Sequence, residues 1–361
     1  MSFQQNYSAL DRLTHRIAFA NRAVQVTAMD LERSLYGRKY RHVAITNPVF
    51  ITSLPRAGTT LLLEILSSVP DLAAHNYRDM PFVLSPFLWA SLTGQFQRTG
   101  QLGERAHGDG MLVSYDSPEA FEEASWVFFW PEKFGADRIG LWSDDDPVEK
   151  FREFFVEQMQ KILVLRLGDE AGRGRYLSKN NANIARLGFL KRCFPDCRIL
   201  VPFREPVEQA LSLLRQHERF TAVHRTEAFS RRYMRDIGHF EFGALHRPIR
   251  FDALEAALKS RRPESLDYWI AYWVAAFQHI LRHEGALTFV SYDRLCERGS
   301  AAVEVLAAQM DAKAADLMAG AGGRLRPPRK HAADGVEASQ DQDLRVRAGA
   351  LYAQLLERSI V

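Results

Sequence analysis

Apolar and polar residues follow two periods along this chain, and each period predicts a different element. Continuous apolar runs of about four to eight residues predict buried strands, whereas apolar residues that recur every three to four positions predict amphipathic helices. The predicted strands are 48–54, 175–178, 198–203 and 287–291. The predicted helices are 10–35, 61–68, 118–129, 147–167, 183–194, 206–217, 264–282 and 341–357.

Strands that alternate with helices predict an α/β fold of the P-loop-like type, with a central, mainly parallel sheet flanked by helices. In such sheets ligands bind beyond the carboxyl ends of the strands. The loops that follow Leu54, Ser178 and Phe203 are therefore expected to converge on one crevice. We expect residues 1–45 to form an N-terminal helical extension, 46–335 the main domain, and 336–361 a C-terminal helix that packs on that domain.

Composition narrows the classes of function. Apolar residues make up 47% and charged residues 25% of the 361 residues, which is typical of a globular protein, and the net charge is only +3. This balance predicts no nucleic-acid partner, because such a partner calls for a concentrated basic face. Cys193, Cys197 and Cys296 form no metal-ligand pattern. Without a signal-like N-terminus or an apolar run long enough to span a bilayer, the chain is expected to be cytoplasmic, and nothing indicates its oligomeric state.

The aromatic residues of the predicted helix 264–282 recur at helical spacing. Such a stripe is more typical of a hydrophobic core than of a binding site. Its members are Tyr268, Trp269, Tyr272, Trp273 and Phe277.

The segment from Ser53 to Thr60 joins the first predicted strand to a helix and occupies the place of a phosphate-binding loop. It is not a Walker A sequence, because the leading Gly is missing and Gly58-Thr-Thr stands where Gly-Lys-Ser/Thr is expected. Backbone N–H groups at a helix N-terminus still form an anion cradle. Arg56 adds a positive charge, and Gly58 lets the backbone approach a ligand closely.

Pro-Arg-Ala-Gly-Thr-Thr after an apolar strand resembles the 5′-phosphosulfate loop of sulfotransferases that use 3′-phosphoadenosine-5′-phosphosulfate (PAPS), with bacterial, cytosolic, tyrosylprotein and heparan branches. A second signature of that family, an Arg at a strand end and a Ser eight residues later, is matched by Arg204 and Ser212. The resemblance implies that PAPS is the co-substrate and that no metal is needed. The donor-binding residues it implies are Arg56, Ala57, Gly58, Thr59, Thr60, Arg204 and Ser212.

The same resemblance implies catalytic roles for Lys179 and Arg56. Family members carry a Lys at the end of the corresponding strand, close to the bridging oxygen between sulfur and phosphate, and Lys179 matches it. In the cytosolic branch a His two residues later is the base, but this chain has Asn181 there. The base is therefore not assigned by that route.

An acceptor hydroxyl must lose its proton, so a carboxylate or imidazole is expected to face the sulfur. The other branches place a Glu about twenty residues beyond the loop, where this chain offers Asp79 and His75. Asp79 is the favoured candidate, with a helix-capping role as its alternative. His107, in a Gly-containing segment near Glu122 and Glu123, is the third candidate, with an exposed loop His as its alternative.

These residues predict transfer of a sulfonyl group from PAPS to a hydroxyl or amine of a small-molecule acceptor. Two other functions stay open: a P-loop nucleotide kinase or NTPase, which would require Mg²⁺ and a loop Lys, and a non-catalytic nucleotide-binding relative. A basic segment is either a further contact to the 3′-phosphate or a solvated loop. It contains Arg324, Arg326, Arg329 and Lys330.

Overall fold

The computed structural model describes residues 7–93, 103–104, 112–113, 118–252, 254–258, 260–326 and 339–361. Its central sheet has five strands, all parallel, in the order β2-β5-β1-β6-β7, and a separate antiparallel pair is formed by β3 and β4. The predicted parallel sheet is therefore confirmed. The strands are β1 Val49–Ile51, β2 Leu72–Ala73, β3 Gly103–Glu104, β4 Leu112–Val113, β5 Arg175–Lys179, β6 Arg198–Phe203 and β7 Thr288–Ser291.

Helices cover both faces of this sheet. No helix in the described ranges has the length and apolar character that a membrane span requires. The α-helices are α1 Ala9–Ala18, α2 Arg22–Tyr40, α3 Thr59–Leu66, α4 Pro86–Thr93, α5 Glu123–Phe129, α6 Glu149–Leu167, α7 Leu187–Cys193, α8 Pro206–Thr226, α9 Ala228–Asp236, α10 Leu254–Leu258, α11 Leu266–Leu281, α12 Tyr292–Arg298, α13 Ser300–Gln309, α14 Ala314–Ala321 and α15 Gln342–Arg358.

The two faces of the sheet support separate hydrophobic cores, because successive side chains of a strand point to opposite faces. In β1, Phe50 joins the larger core, which also contains residues of α6, α7 and α11, whereas Val49 and Ile51 join the core built with α3, α13 and α14. The aromatic residues of α11 are buried in the larger core, as their spacing predicts; Trp273 is 0% exposed.

Strand register brings the functional loops together. Ile51 of β1 is aligned with Lys179 of β5 and with Leu200 of β6. The next backbone bonds, from Asn180 N to Ile51 O (2.9 Å) and from Thr52 N to Leu200 O (2.9 Å), continue this alignment past the strand ends. The segments that follow β1, β5 and β6 therefore leave the sheet side by side, at its carboxyl edge.

Two predicted helices differ from the observed ones for local reasons. The single helix predicted at 10–35 is divided into α1 and α2, because the side chain of Asn21 accepts a hydrogen bond from Val24 N and starts a second helix. The helix predicted at 118–129 begins only at Glu123, because the chain at Glu119 is extended and donates its N–H to His75 O (2.9 Å).

The helix α2 is attached to the larger core by a fully buried ion pair. Lys161 Nζ of α6 lies 2.8 Å from Glu32 Oε1, and both side chains are 0% exposed. Lys161 also donates to Leu84 O (2.9 Å), and Glu32 accepts from Leu88 N (2.9 Å), so the pair also holds the segment that leads into α4. Burial raises the pKa of Glu32, although Lys161 opposes this effect.

Candidate active site

The loop between β1 and α3 has a backbone that only glycine fits at one position. Gly58 has φ +91°, and a Cβ atom there would lie 2.4 Å from Cδ2 of Tyr292. A side chain at this position would therefore be strained and would also displace the Tyr292 ring. The first turn of α3 begins directly after it at Thr59, and the N–H groups of such a turn are suited to bind an anion.

The two predicted phosphate-binding signatures meet in space. Arg56 Nε donates a hydrogen bond of 3.0 Å to Ser212 Oγ on α8. The Arg204 guanidinium lies over the Tyr292 ring, 5.5 Å from its centroid, and this is the ring that packs against Gly58. Residues that are 156 positions apart in the chain thus surround one place at the carboxyl edge of the sheet.

Lys179 and Asn181 extend this place towards the end of β5. The Asn181 Oδ1 atom accepts a hydrogen bond of 3.3 Å from Thr59 Oγ1, so the segment after β5 contacts the start of α3. Both residues line a cavity together with the loop, which we call the loop cavity. Its other lining residues are Pro55, Arg56, Thr59, Thr60, Gln216, Phe220, Met234, His239, Glu241 and Phe242.

A second cavity, the aromatic cavity, lies next to the loop cavity and shares Lys179, Asn181 and Glu241 with it. It encloses about 580 Å³ of empty space, part of which is open to solvent. Its apolar and aromatic wall includes Leu54, Ile139, Phe240, Phe242, Trp269 and Tyr272. Two cavities that meet at one lysine are suited to hold two substrates, which would react with each other beside that lysine.

Comparison with known families shows which family the chain belongs to. The sequence model described as "Sulfotransferase family" matches residues 48–314, which include β1 with its loop, β5 with Lys179, and β6 with Arg204. The chain belongs to the sulfotransferase family. No curated protein sequence is significantly similar to it.

Two solved structures are similar to this chain at low sequence identity. The sulfotransferase STF9 from Mycobacterium avium is 12% identical, with a TM-score of 0.53 over 97% of this chain and 86% of that protein. The sulfotransferase STF1 from Mycobacterium tuberculosis H37Rv is 15% identical, with a TM-score of 0.47 over 86% of this chain and 80% of that protein. The first similarity shows that this sulfotransferase has the P-loop-like α/β fold of its family.

In this sulfotransferase, a buried glutamine that sequence patterns do not reveal stabilises the loop between β1 and α3. Gln209 of α8 is 0% exposed, and its Nε2 donates to Pro55 O (2.9 Å) and to Leu54 O (3.3 Å). Its Oε1 accepts from Trp273 Nε1 of α11 (2.9 Å). With these partners on both ends of the amide, Gln209 fixes the backbone carbonyls of the loop.

Arg204 is 7% exposed, so it is not the surface residue that its charge alone suggests. Its Nη2 lies 3.6 Å from Glu208 Oε2 and its Nε lies 3.9 Å from Asp293 Oδ1. The Asp293 carboxylate is itself held by Tyr352 Oη, which donates at 3.2 Å. These two carboxylates help to orient the Arg204 guanidinium, a group that can bind a phosphate bidentately.

Asp79, the favoured base, lies in an environment that argues against this role. Its side chain is 3% exposed, and it accepts hydrogen bonds from Arg166 Nη2, from Asn76 N (3.1 Å) and from the ring of His75 (Nδ1, 2.9 Å). Burial would raise the pKa of Asp79, but Arg166 and His75 outweigh it and lower that pKa. The structure therefore supports the capping alternative: Asp79 and Asn76 form a capping box around a short 3-10 helix.

The other candidates from the sequence have different outcomes. His75 is 5% exposed and is held by Asp79, so no acceptor hydroxyl reaches it in this conformation. His107 lies outside the described residues, as do Arg329 and Lys330. Arg324 pairs with Glu64 on α3 (3.1 Å) rather than with the residues of the loop cavity.

Glu122 and Glu123 form a buried network behind the end of β5. Asn180 Nδ2 donates to Glu123 Oε2 (2.6 Å) and to Glu122 Oε1 (3.3 Å), and Arg186 binds Glu123 directly. Burial raises the pKa of Glu123 to about 7, although Arg186 and Asn180 oppose this effect. The network fixes Asn180, the residue between Lys179 and Asn181, and so orients both of its neighbours.

Proposed function

We propose that this sulfotransferase uses PAPS as its donor and transfers the sulfonyl group to a hydroxyl or amine of a small-molecule acceptor, with release of adenosine 3′,5′-bisphosphate. The observation that carries the proposal is the contact between Arg56 and Ser212 beside Lys179. It joins the two signatures that resemble the donor-binding residues of PAPS-dependent enzymes. We further propose a cytoplasmic location, with which three free, buried cysteines agree.

The residues of the loop cavity, together with two residues outside its lining, fit such a donor. Arg56, Thr59 and Thr60, with the N-terminus of α3, would hold the 5′-phosphosulfate. Arg204 and Ser212, which do not line the cavity, would hold the 3′-phosphate. Gly58 supports this assignment, because its φ of +91° and its contact with Tyr292 leave no room for a side chain. When bound, the donor supplies an activated sulfonyl group whose leaving oxygen gains negative charge during transfer.

Lys179 is proposed to stabilise that charge. It is 8% exposed and lines both cavities, which supports a position for its ammonium group between the proposed donor and the acceptor. A cation in a site with little water stabilises developing charge more strongly than one in bulk solvent. Because Arg56 and Lys179 supply this stabilisation, we propose that the reaction requires no metal ion.

Replacing Arg204 by alanine is expected to weaken the binding of adenosine 3′,5′-bisphosphate by about 1.5–3 kcal/mol, the usual contribution of a hydrogen bond to a charged group. Binding of 5′-AMP, which lacks the 3′-phosphate, should change little. Titration calorimetry without metal measures both affinities. The matched control is Arg324→Ala, which removes an arginine whose partner is Glu64. Equal affinity of the native protein for the two nucleotides would disprove the assignment of Arg204 and Ser212.

A further inference from the structure

Glu241 lies where the two cavities meet, and nothing in the sequence pattern points to it. It lines both the loop cavity and the aromatic cavity, and its side chain is half-buried. Asn181 Nδ2 donates a hydrogen bond of 3.2 Å to Glu241 Oε1. Among the described residues, no hydrogen bond reaches the other carboxylate oxygen, Oε2. The second oxygen is therefore available to a substrate.

Asn181 links this carboxylate to the loop between β1 and α3, which we propose binds the donor. Its Oδ1 accepts from Thr59 Oγ1 (3.3 Å) while its Nδ2 donates to Glu241 (3.2 Å). Because a hydroxyl donates on one side and a carboxylate accepts on the other, only one orientation of the amide satisfies both contacts. The position of Glu241 is thus set relative to Thr59, at the start of α3.

His246 holds the backbone of Glu241. Its Nδ1 lies 2.6 Å from Glu241 O, and its Nε2 lies 2.6 Å from Tyr268 Oη. A carbonyl oxygen accepts only, so Nδ1 carries the proton and Nε2 accepts from the tyrosine. Burial, with a further contribution from His217, lowers the pKa of His246 to about 3. His246 therefore stays neutral, has no lone pair left for a substrate, and acts by positioning Glu241.

His239 is the other titratable group that lines both cavities. Its Nε2 lies 3.2 Å from Ala120 O, so Nε2 is the donor and Nδ1 is left as the acceptor. Unlike Glu241, it makes no hydrogen bond, within the part of the chain that the structure describes, to the segments that carry Lys179 and Thr59. The link through Asn181 favours Glu241 as the group whose distance from the reacting sulfur is fixed.

The wall of the aromatic cavity indicates what the acceptor is. Trp269 and Tyr272 come from α11, Phe240 and Phe242 flank Glu241 in the chain, and Leu54 precedes the donor loop. Such a wall favours a planar apolar body. A small aromatic compound with a hydroxyl group matches the chemistry of this wall, with its hydroxyl placed at Glu241.

We propose that Glu241 is the general base and that the aromatic cavity binds a small, mainly apolar aromatic compound that carries a hydroxyl group. Glu241 Oε2 takes the hydroxyl proton as the acceptor oxygen bonds to sulfur. The bond between sulfur and the bridging oxygen breaks, and its electron pair leaves with adenosine 3′,5′-bisphosphate beside Lys179. The protonated carboxyl then returns its proton to water. This inference rests on the proposed donor.

The test compares two phenols as acceptors with PAPS at mildly alkaline pH. 4-Ethylphenol keeps its proton there and needs a base, whereas 4-nitrophenol is already ionised and needs none. Glu241→Gln is expected to lower the turnover of 4-ethylphenol by about 10²–10⁴-fold, and that of 4-nitrophenol by less than about tenfold. Calorimetry should show that the variant still binds adenosine 3′,5′-bisphosphate and, in that complex, 4-ethylphenol.

Two further variants separate the roles. His239→Asn should change the turnover of the two phenols by the same factor, because it alters the wall of both cavities but not the base. Asn181→Ala should lower turnover of 4-ethylphenol more than that of 4-nitrophenol, because it loosens the base without removing it; a merely structural change would lower both equally.

Several results would overturn the proposal. These are normal turnover of 4-ethylphenol by Glu241→Gln, equal losses with both phenols in that variant, or a loss in His239→Asn that affects 4-ethylphenol but not 4-nitrophenol. A native protein that binds adenosine 3′,5′-bisphosphate but sulfonates neither phenol contradicts the acceptor class. A native protein that does not bind this nucleotide contradicts the proposed donor instead, and the base assignment with it.

Discussion

Replacing Lys179 by methionine is expected to lower kcat by about 10²–10³-fold, while adenosine 3′,5′-bisphosphate binds within a few-fold of its native affinity. Methionine keeps the apolar stem but removes the ammonium group that lines both cavities. The effect falls on kcat because negative charge on the leaving oxygen develops only as the bond to sulfur breaks, so the interaction is stronger in the transition state than in the ground state. Steady-state kinetics with PAPS and 4-nitrophenol, together with calorimetry, measures the two quantities.

Lys179→Arg is the matched control for this experiment. It keeps the positive charge but changes its shape and reach, so it should retain more activity than Lys179→Met. If the methionine variant lost nucleotide affinity and kept a native kcat, Lys179 would be a ground-state binding residue and its proposed role would be wrong.

Replacing Asp79 by asparagine is expected to destabilise the fold by about 3 kcal/mol, because the change leaves the charge of Arg166 without its buried partner. At a temperature where the variant is folded, kcat should match that of the native protein. Because the pKa of Asp79 is lowered on folding, its contribution to stability is present at neutral pH and is lost as the pH falls through that folded-state pKa. Denaturant unfolding at neutral and acidic pH measures this difference.

Asp71→Asn is the matched control for stability. Asp71 pairs with Arg175 at 2.7 Å, but its side chain is 42% exposed, so removal of its charge should cost less than about 1 kcal/mol. A stable Asp79→Asn variant with a large loss of kcat would restore Asp79 as the candidate base.

Local patterns were sufficient to predict the sheet and the place of the loop between β1 and α3. The predicted strand 198–203 has the bounds of β6, because a continuous apolar run between polar residues is readable without tertiary context. The convergence of Arg56 and Ser212 followed from one further rule, that loops at the carboxyl edge of a parallel sheet lie together. The strand β2 has only two residues, too few to produce a pattern.

The residues that complete the site could not be predicted in this way. Glu241 and Gln209 each occur in segments whose local pattern is that of ordinary loop or helix, and their roles depend on contacts with residues far away in the chain. Asp79 was favoured because relatives place a Glu about twenty residues beyond the loop, yet the contact of Glu119 with His75 and the position of Arg166 enclose it in the protein interior. The burial of this segment depends on contacts with distant residues, which the local sequence pattern does not contain.

The buried pair of Glu32 and Lys161 ties α2 to the rest of the molecule. A shortened chain that starts at residue 46, as the sequence-based domain boundary suggests, would leave the ammonium group of Lys161 in an apolar interior with backbone and amide oxygens but no carboxylate. An uncompensated charge of this kind costs several kcal/mol. We therefore expect that a shortened or fused form of the protein has to retain α2 to stay stable.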